Sequence, residues 1–310
     1  EKTYEIRVMD RKKYQEYKVV HAHMDCMSGL VLRAAKKAGV PARISHSHNT
    51  QSEGNFPARL YKSYAGRKIL KNATYLAACS TAAAAWLFGK HAINALIVKN
   101  GIESERFLYN EVVRSKMRKS LKIGCRTLVI GHVGRFCTQK NHSFLIEVFA
   151  RLKAMHKDAI LLLIGDGPLK EEIQNKARQL NIADSVRFCG KRADVPELLQ
   201  AVDVILFPSY HEGLPLALIE AQAAGIKCVV SDSVSKEVDL GAGLITFLGL
   251  DEDADKWAAE ALKPYVRNAD MRDYIIRNGY DIEIIANAMQ NFYLGAYFGM
   301  CKTGKMSLRN

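Results

Sequence analysis

Short apolar runs rich in valine, isoleucine and leucine alternate with longer amphipathic segments along most of the chain. The apolar runs have the length and composition of buried strands, and the segments between them have the pattern of helices. Strands that alternate with helices are typical of parallel α/β sheets. The predicted strands are 18–23, 42–48, 75–80 and 95–100 in the first part of the chain, and 127–134, 159–167, 186–190, 203–209, 227–232 and 244–248 in the second.

A polar and basic segment, residues 100–126, separates the two groups of strands. A chain of 310 residues is long for one domain, so we predict two Rossmann-like, doubly wound α/β domains that face a cleft. We place the first domain at 1–120, the second at 121–285, and a C-terminal helix that returns to the first domain at 286–310. Four aromatic residues in that last region are typical of core packing: Phe292, Tyr293, Tyr297 and Phe298.

Composition narrows the class of protein. The chain is 48% hydrophobic and 25% charged, as in globular proteins, and no apolar run approaches the ~18 residues of a membrane-spanning helix. The charged residues 1–18 do not resemble a signal peptide, and seven cysteines occur without a CxxC pair. We therefore expect a soluble cytoplasmic protein with free thiols.

The net charge is strongly positive, with 45 basic and 32 acidic side chains giving +13. Such a charge suits nucleic acid, an anionic membrane surface or phosphorylated ligands, although it is also compatible with an ordinary solvated basic surface. We find neither aromatic RNA-binding signatures nor a helix-turn-helix pattern in the sequence, and therefore expect no nucleic-acid partner.

Residues 209–225, SYHEGLPLALIEAQAAG, follow a predicted buried strand. The proline and the final glycine predict a helix from about Pro215 to Gly225. Open α/β sheets bind ligands beside the carboxyl ends of their strands, which is where this segment begins. Glu220 lies in an almost wholly apolar helix, where an isolated carboxylate is costly. Its partners are expected to be either ligand hydroxyls or backbone N–H groups of a neighbouring turn.

Two histidine pairs, His21/His23 and His46/His48, each end a predicted strand, and alternation places both rings of a pair on one face. A zinc site and hydrogen bonding at the strand ends are both compatible with this pattern. Nothing in the sequence holds the two strands at ligand distance, so we predict no metal.

The sequence GDG at residues 165–167 offers two glycines after another strand. A phosphate cradle and a tight strand-to-helix turn explain this pattern about equally, because a lone GxG is a weak signal. We assign no role to Asp166.

Residues 212–221, EGLPLALIEA, resemble the E-x7-E signature of the retaining GT-B glycosyltransferases of family 4 in its EGLP variant. Other segments resemble the same family in the same order. These are the G-R-x4-K segment at 131–152, the next strand, turn and helix at 161–173, the base-binding and approach strands at 186–209, and residues 21–50 and 100–107, which are similar to bacterial capsular and exopolysaccharide transferases.

The resemblance implies how the donor phosphates are bound. Arg135 and Lys140 would hold the diphosphate, a role that suits fixed cations because a leaving nucleoside diphosphate develops negative charge. Alternatively, these two residues are ordinary surface cations that bind no ligand. Backbone N–H groups of Gly213 and Leu214, close to a helix N-terminus, would also bind phosphate.

The resemblance also implies contacts to the sugar and the base. Glu212 would hold hydroxyls of the donor sugar near its reacting carbon, and Glu220 would accept hydrogen bonds from the ribose. The main chain around Gly190 and Lys191 would meet the base, for which we predict uracil.

One of two histidines, His46 or His48, would lie beside the donor sugar if the resemblance holds, and we favour His48 because it is nearer the strand end. The family's opening strand, glycine-rich turn and next two βα units have no counterpart before residue 18. The N-terminal domain is therefore expected to be incomplete, through either a shortened chain or a segment that was left out.

The family implies a retaining, metal-independent glycosyltransferase without a cofactor. It would move a sugar from a nucleotide-diphospho-sugar, predicted as a UDP-sugar, to a glycan or lipid-linked acceptor in bacterial surface polysaccharide synthesis. The basic first half suits an anionic inner membrane surface, where the protein would be peripheral. A GT-B nucleotide-sugar epimerase and a non-catalytic sugar-nucleotide-binding protein are the alternatives.

Overall fold

The computed structural model describes residues 17–52 and 54–298, and its contacts divide the chain into two compact units. Unit 1 consists of the chain up to Gly101 together with the chain from Glu283 onward, and unit 2 is Ile102–Ile282. Among the residues described, no helix is both long and apolar enough to cross a bilayer. The six cysteines in this part of the chain form no disulfide, and Cys301 lies outside it.

Unit 1 contains a parallel sheet of four strands in the order β1-β2-β3-β4. The strands are β1 (Val19–Ala22), β2 (Ala42–Ser47), β3 (Tyr75–Ala78) and β4 (Leu96–Ile97). Its first helices are α1 (Ser28–Lys37), α2 (Phe56–Gly66), α3 (Ile69–Asn72) and α4 (Thr81–Phe88). The side chain of Asn55 caps α2 by accepting a hydrogen bond from Ala58 N, which gives that helix a defined start.

Unit 2 contains a parallel sheet of six strands in the order β10-β9-β8-β5-β6-β7. The strands are β5 (Leu128–Val133), β6 (Ala159–Ile164), β7 (Val186–Gly190), β8 (Val204–Phe207), β9 (Lys227–Ser231) and β10 (Ile245–Leu248). The helices are α5 (Ser104–Phe107), α6 (Glu111–Ser120), α7 (His142–Met155), α8 (Lys170–Gln179), α9 (Val195–Ala201), α10 (Leu216–Ala223), α11 (Ala254–Leu262) and α12 (Arg272–Arg277). Strand β8 is buried along its whole length, as expected for a central parallel strand covered on both faces.

The ten predicted strands are all present, and the prediction of two Rossmann-like parallel-sheet domains is confirmed. In unit 2 the chain runs from β5 outward to β7 and then returns to place β8 on the other side of β5. The strand order therefore reverses between β5 and β8. Parallel sheets bind ligands at such a reversal, beside the carboxyl ends of the strands.

Helix α6 belongs to unit 2, so the boundary at Gly101 lies before the predicted one at residue 120. The reason is a set of ion pairs: Arg114 Nη2 lies 2.6 Å from Asp203 Oδ1, and Arg118 Nη1 lies 3.3 Å from Asp203 Oδ2. The same carboxylate accepts a hydrogen bond from Val129 N, at the start of the sheet. The basic residues that suggested a linker therefore attach α6 to β8.

Helix α13 (Ile282–Tyr297) packs on the sheet of unit 1, although it follows unit 2 in the chain. Phe292 is buried in a cluster with residues of β2 and β3, and Tyr293 packs against the same cluster. Tyr297 and Phe298 are 50% and 62% exposed, so core packing explains only two of the four aromatic residues. Residues 299–310 of the predicted C-terminal helix lie outside the described residues.

Candidate functional site

Two loops follow the strands at which the order of the unit 2 sheet reverses, and hydrogen bonds join them. After β5 the chain forms a 3₁₀ turn at Thr138–Lys140. Tyr210 N, in the loop after β8, donates to Gln139 O at 2.9 Å, and Gln139 Nε2 donates to His211 O at 2.8 Å. Gln139 was not predicted to matter, because its role depends on a contact 72 residues away in the sequence.

These loops bring Lys140 and Glu212 into direct contact. Nζ of Lys140 lies 2.7 Å from Oε1 of Glu212, and the two side chains are only 16% and 9% exposed. The ammonium also lies 4.8 Å from the centre of the Phe207 ring, within range of a cation–π contact. Sequence reasoning gave the two residues separate ligand contacts, whereas the structure makes them an ion pair.

Arg135 and Lys191 lie on the walls of one cavity of about 630 Å³ in unit 2, together with the GDG turn at residues 165–167. Both side chains are exposed, and neither forms an ion pair within the described residues. The sequence predicted these cations on different loops, and the fold places them around the same space. Two unpaired cations beside a glycine turn favour an anionic ligand.

Close backbone packing accounts for the two glycines of the GDG turn. A Cβ atom on Gly165, whose φ is +143°, would lie 2.0 Å from Gly134 O, and one on Gly167 would lie 2.4 Å from Phe136 O. Phe136 N also donates to Asp166 O at 3.1 Å. Of the two explanations left open by the sequence, the tight turn is therefore sufficient, although the turn also lines the cavity.

Helix α10 begins after Pro215, which occupies the N-cap with no side-chain cap, and ends at Ala223. Gly225 terminates it with a φ of +68°, and the hydrogen bonds Gly225 N→Gln222 O and Ile226 N→Ala221 O form a Schellman motif. The predicted start and stop of the helix are therefore close to those observed. Within the described residues, the N–H groups of Gly213 and Leu214 just before it donate no hydrogen bond.

Glu220 is partly buried in α10, and this burial raises the pKa of its carboxyl group. Of the two kinds of partner expected from the sequence, the backbone N–H group is not found: no group in the described residues donates a hydrogen bond to this carboxylate. The carboxylate is therefore available to a ligand.

Gly190 ends β7 in a left-handed conformation, with φ of +69°. Its carbonyl accepts a hydrogen bond from Gly165 N at 2.9 Å and so holds the GDG turn. Lys191 follows directly and lines the cavity. The segment predicted to meet the base therefore borders the same space as Arg135.

The four histidines of the two HxH pairs form one cluster in unit 1, because β1 and β2 are adjacent parallel strands. His21 Nε2 lies 3.1 Å from His46 Nδ1, and His23 Nδ1 lies 2.8 Å from His48 Nε2. His46 is buried and His48 is partly exposed, so His48 is the more accessible of the two sugar-side candidates. Asp25, which sequence reasoning did not single out, accepts from His48 N at 2.8 Å.

Two further histidines, His132 and His142, lie buried close to Lys140 and were not predicted. His132 Nδ1 is 2.8 Å from Leu206 O, and His142 stacks on Phe136. Burial, together with the positive charge of Lys140, lowers the pKa of His142 to about 4. Burial also lowers the pKa of His132 well below its ordinary value, so both rings are neutral at pH 7 and add no charge beside the Lys140–Glu212 pair.

The fold resembles that of solved GT-B proteins. The crystal structure of Anabaena Alr3699/HepE in complex with UDP superposes with a TM-score of 0.77 at 20% identity, covering 92% of this chain and 80% of that one. The structure of WaaG, a glycosyltransferase involved in lipopolysaccharide biosynthesis, gives a TM-score of 0.61 at 18% identity over 87% of this chain and 79% of WaaG. The two parallel-sheet units are therefore those of a GT-B fold.

The sequence identifies the family. Residues 113–282 match the model of glycosyl transferases group 1. Putative glycosyltransferase EpsF of Bacillus subtilis (strain 168) is 38% identical over 291 residues, which are 91% of this chain and 76% of EpsF. The UDP-Gal:alpha-D-GlcNAc-diphosphoundecaprenol alpha-1,3-galactosyltransferase of Escherichia coli is 27% identical over 71% of this chain and 59% of that enzyme. The chain belongs to the glycosyl transferases group 1 family.

Proposed function

We propose that this protein is a retaining glycosyltransferase that moves a sugar from a UDP-sugar to a glycan or lipid-linked acceptor in bacterial surface polysaccharide synthesis. The observation that carries the proposal is the cavity lined by Arg135 and Lys191, which lies at the carboxyl ends of β5, β6 and β7 in unit 2. Two relatives support the choice of ligands: the HepE structure contains UDP, and the name of the Escherichia coli relative gives a UDP-Gal donor and a diphosphoundecaprenol-linked acceptor.

The donor diphosphate binds between the exposed guanidinium of Arg135 and the N-terminus of α10. The unpaired N–H groups of Gly213 and Leu214 supply hydrogen bonds there, and the positive end of the helix dipole adds to their attraction for phosphate. Lys191 contributes a second charge from the other wall of the cavity. Their combined charge suits a diphosphate better than a neutral sugar.

The Lys140–Glu212 pair acts at the bond that breaks. When the C1–O bond to the diphosphate breaks, its electron pair remains on the phosphate oxygen, and Lys140 and Arg135 stabilise the charge that develops. The acceptor hydroxyl attacks the same face of the sugar, and its proton goes to the leaving diphosphate. Glu212 accepts hydrogen bonds from the donor-sugar hydroxyls, while its contact with Lys140 holds its carboxylate in place.

Glu220 binds the ribose of the nucleotide. Its carboxylate has no hydrogen-bond donor within the described residues, and the ribose hydroxyls are suitable donors. The main chain at Gly190 and Lys191 contacts the uracil. In unit 1, His48 or His46 contacts the donor sugar, and the rest of this unit binds the acceptor.

Transfer requires neither a metal nor a cofactor in this proposal, because the cations of the protein supply the charge that a metal would otherwise provide. Transfer should therefore continue in EDTA, and its loss there would contradict this part of the proposal.

We also infer that unit 1 attaches to the inner face of the cell membrane through α2. The exposed face of this helix is apolar, and basic residues border it, with no acidic residue between 56 and 72. The exposed apolar residues are Phe56, Leu60, Tyr61 and Tyr64, and the basic ones are Arg59, Lys62, Arg67 and Lys68. An apolar face with a basic border suits an anionic lipid surface.

Calorimetric titration with UDP, GDP and ADP tests the donor site. UDP should bind most tightly, and Glu220→Ala should lower its affinity about tenfold or more, because a hydrogen bond to a charged group contributes about 1.5–3 kcal/mol. Glu172→Ala, which replaces an exposed glutamate of α8, is the matched control and should bind like the wild type. If no nucleotide binds, the proposed donor site is wrong.

Incubation with the UDP-sugar alone tests the transfer reaction. A transferase needs an acceptor for turnover, whereas an epimerase would convert the donor without one. The anomeric configuration of the transferred sugar, measured by NMR, should match that of the donor.

A further inference from the structure

The histidine cluster of unit 1 has a geometry that the proposed transfer reaction does not require. One ring nitrogen from each of His21, His23 and His46 lies within 4.8 Å of the others. No metal was predicted from the sequence, because nothing in it holds the two HxH pairs at ligand distance. The structure removes that reason, since β1 and β2 are hydrogen-bonded neighbours with Ala22 opposite Ser45.

The spacing of the rings is close to that of metal ligands. His21 Nε2 and His46 Nδ1 are 3.1 Å apart, and two nitrogens that bind Zn²⁺ at about 2.0–2.1 Å in a tetrahedral site lie about 3.4 Å from each other. A metal ion could therefore replace the proton shared by these two rings with little movement. His23 is exposed and has room to adjust its ring to a third coordination position.

The cluster also has the surroundings of a metal site. The hydroxyl of Tyr293 lies 2.7 Å from Nδ1 of His21, so it can accept a hydrogen bond from Nδ1–H and keep Nε2 free for a metal.

We propose that His21, His23 and His46 bind one divalent transition-metal ion of the Zn²⁺ class. Imidazole is a preferred ligand of this class, whereas Mg²⁺ and Ca²⁺ prefer oxygen. Metal binding at this cluster goes beyond the proposed transfer reaction, in which the cations of unit 2 supply the charge. It uses His46 as a ligand and leaves His48, the favoured histidine for the donor sugar, outside the three-histidine group.

Titration of the whole, chelator-treated chain with Zn²⁺ and Co²⁺ tests the site. We expect one Zn²⁺ per chain by calorimetry and, with Co²⁺, the visible absorption bands of a tetrahedral nitrogen site. His23→Gln should lower Zn²⁺ affinity at least tenfold. His23 is exposed, so its replacement disturbs the fold little. His156→Gln removes a histidine of unit 2 and should leave Zn²⁺ affinity unchanged.

Tyr293→Phe distinguishes a supported metal site from incidental binding by histidines. The loss of an outer-shell hydrogen bond should lower Zn²⁺ affinity by about 10–100-fold, while circular dichroism shows the same fold. The proposal is overturned if Zn²⁺ does not bind saturably, or if its affinity is the same after His23→Gln. These measurements need no nucleotide, so their failure leaves the proposed transferase function untouched, and UDP binding is measured separately in the same samples.

Discussion

The ammonium group of Lys140 and the carboxylate of Glu212 form an ion pair of 2.7 Å between two loops that are 72 residues apart in sequence. The pair is nearly buried, and it lies where the strand order of the unit 2 sheet reverses. Its position links the stability of the two loops to the chemistry proposed for them, since the same two charges hold the loops together and are proposed to contact the donor.

Replacement of Lys140 should affect both catalysis and stability. We expect Lys140→Ala to lower kcat by about 100-fold or more, as with other fixed groups that stabilise a developing charge. Denaturant unfolding should also show a loss of stability, because Glu212 is left as an unpaired, nearly buried charge.

A double-mutant cycle on Lys140 and Glu212, compared with one on Lys256 and Glu252, measures the ion pair itself. The second pair is an exposed i, i+4 pair with side chains 54% and 38% exposed, for which about 0.3–0.5 kcal/mol is typical. A coupling energy for Lys140 and Glu212 no larger than this would contradict the importance assigned to their burial.

Glu220 should make stability depend on pH. Burial raises the pKa of this carboxyl group above its ordinary value of 4.5, so the folded chain holds its proton in a range where the unfolded chain has lost it. The unfolding free energy therefore falls as the pH rises through that range, and the cost is complete above the folded pKa. Glu220→Gln should consequently stabilise the fold at pH 8 relative to the wild type, and less so at pH 4.

Thermal unfolding of Glu220→Gln at both pH values measures this effect, with Glu172→Gln as the control at an exposed site. An equal change of melting temperature at the two pH values would argue against an ionised, partly buried Glu220. The same variant should bind UDP more weakly, since an amide is a poorer acceptor for the ribose hydroxyls than a carboxylate.

The GDG turn should be intolerant of side chains. In Gly165→Ala the new Cβ would lie 2.0 Å from Gly134 O, in a backbone conformation that alanine rarely adopts. We expect the unfolding free energy to fall by about 1–3 kcal/mol or more. Gly241→Ala is the matched control, because Gly241 also has a positive φ but meets no atom within 4 Å. Urea denaturation of both variants should show the larger loss for Gly165→Ala.

The two cations of the unit 2 cavity should control nucleotide affinity. Arg135→Ala and Lys191→Ala should each weaken UDP binding about tenfold at low ionic strength, and the difference from the wild type should shrink as salt screens the charges. Arg126→Ala removes an exposed arginine that does not line the cavity and should bind UDP normally. Calorimetry at two salt concentrations is the measurement. Unaltered UDP affinity in both cavity variants would show that these cations are not part of the donor site.

The apolar face of α2 should govern membrane attachment. The double variant Phe56→Ser/Leu60→Ser should reduce sedimentation with vesicles of anionic lipid, since the two side chains are 79% and 65% exposed and their loss removes apolar area without disturbing a core. Val112→Ser changes an equally exposed apolar residue, 77% exposed, on unit 2 and should sediment like the wild type. Equal binding to neutral and anionic vesicles would contradict the charge part of the inference.

Much of the local structure followed from sequence. Alternation of apolar runs with amphipathic segments predicted all ten strands, because burial on both faces requires such runs in a parallel sheet. The proline and glycine around α10 predicted its ends within a few residues, since their backbone preferences act locally. The placement of Arg135 and Glu212 after strands likewise indicated which end of the sheet carries the site.

The tertiary structure decided what depends on contacts distant in sequence. Only the fold showed that α6 belongs to unit 2, because its arginines need Asp203 as a partner.

The sequence by itself determined the class of fold, the strands and the ends of the site helix, because those properties arise from burial and from the backbone preferences of neighbouring residues. Only the tertiary structure decided that Lys140 pairs with Glu212 and that four histidines share one cluster. Both results depend on which strands lie side by side, and no local pattern specifies the strand order of a parallel sheet.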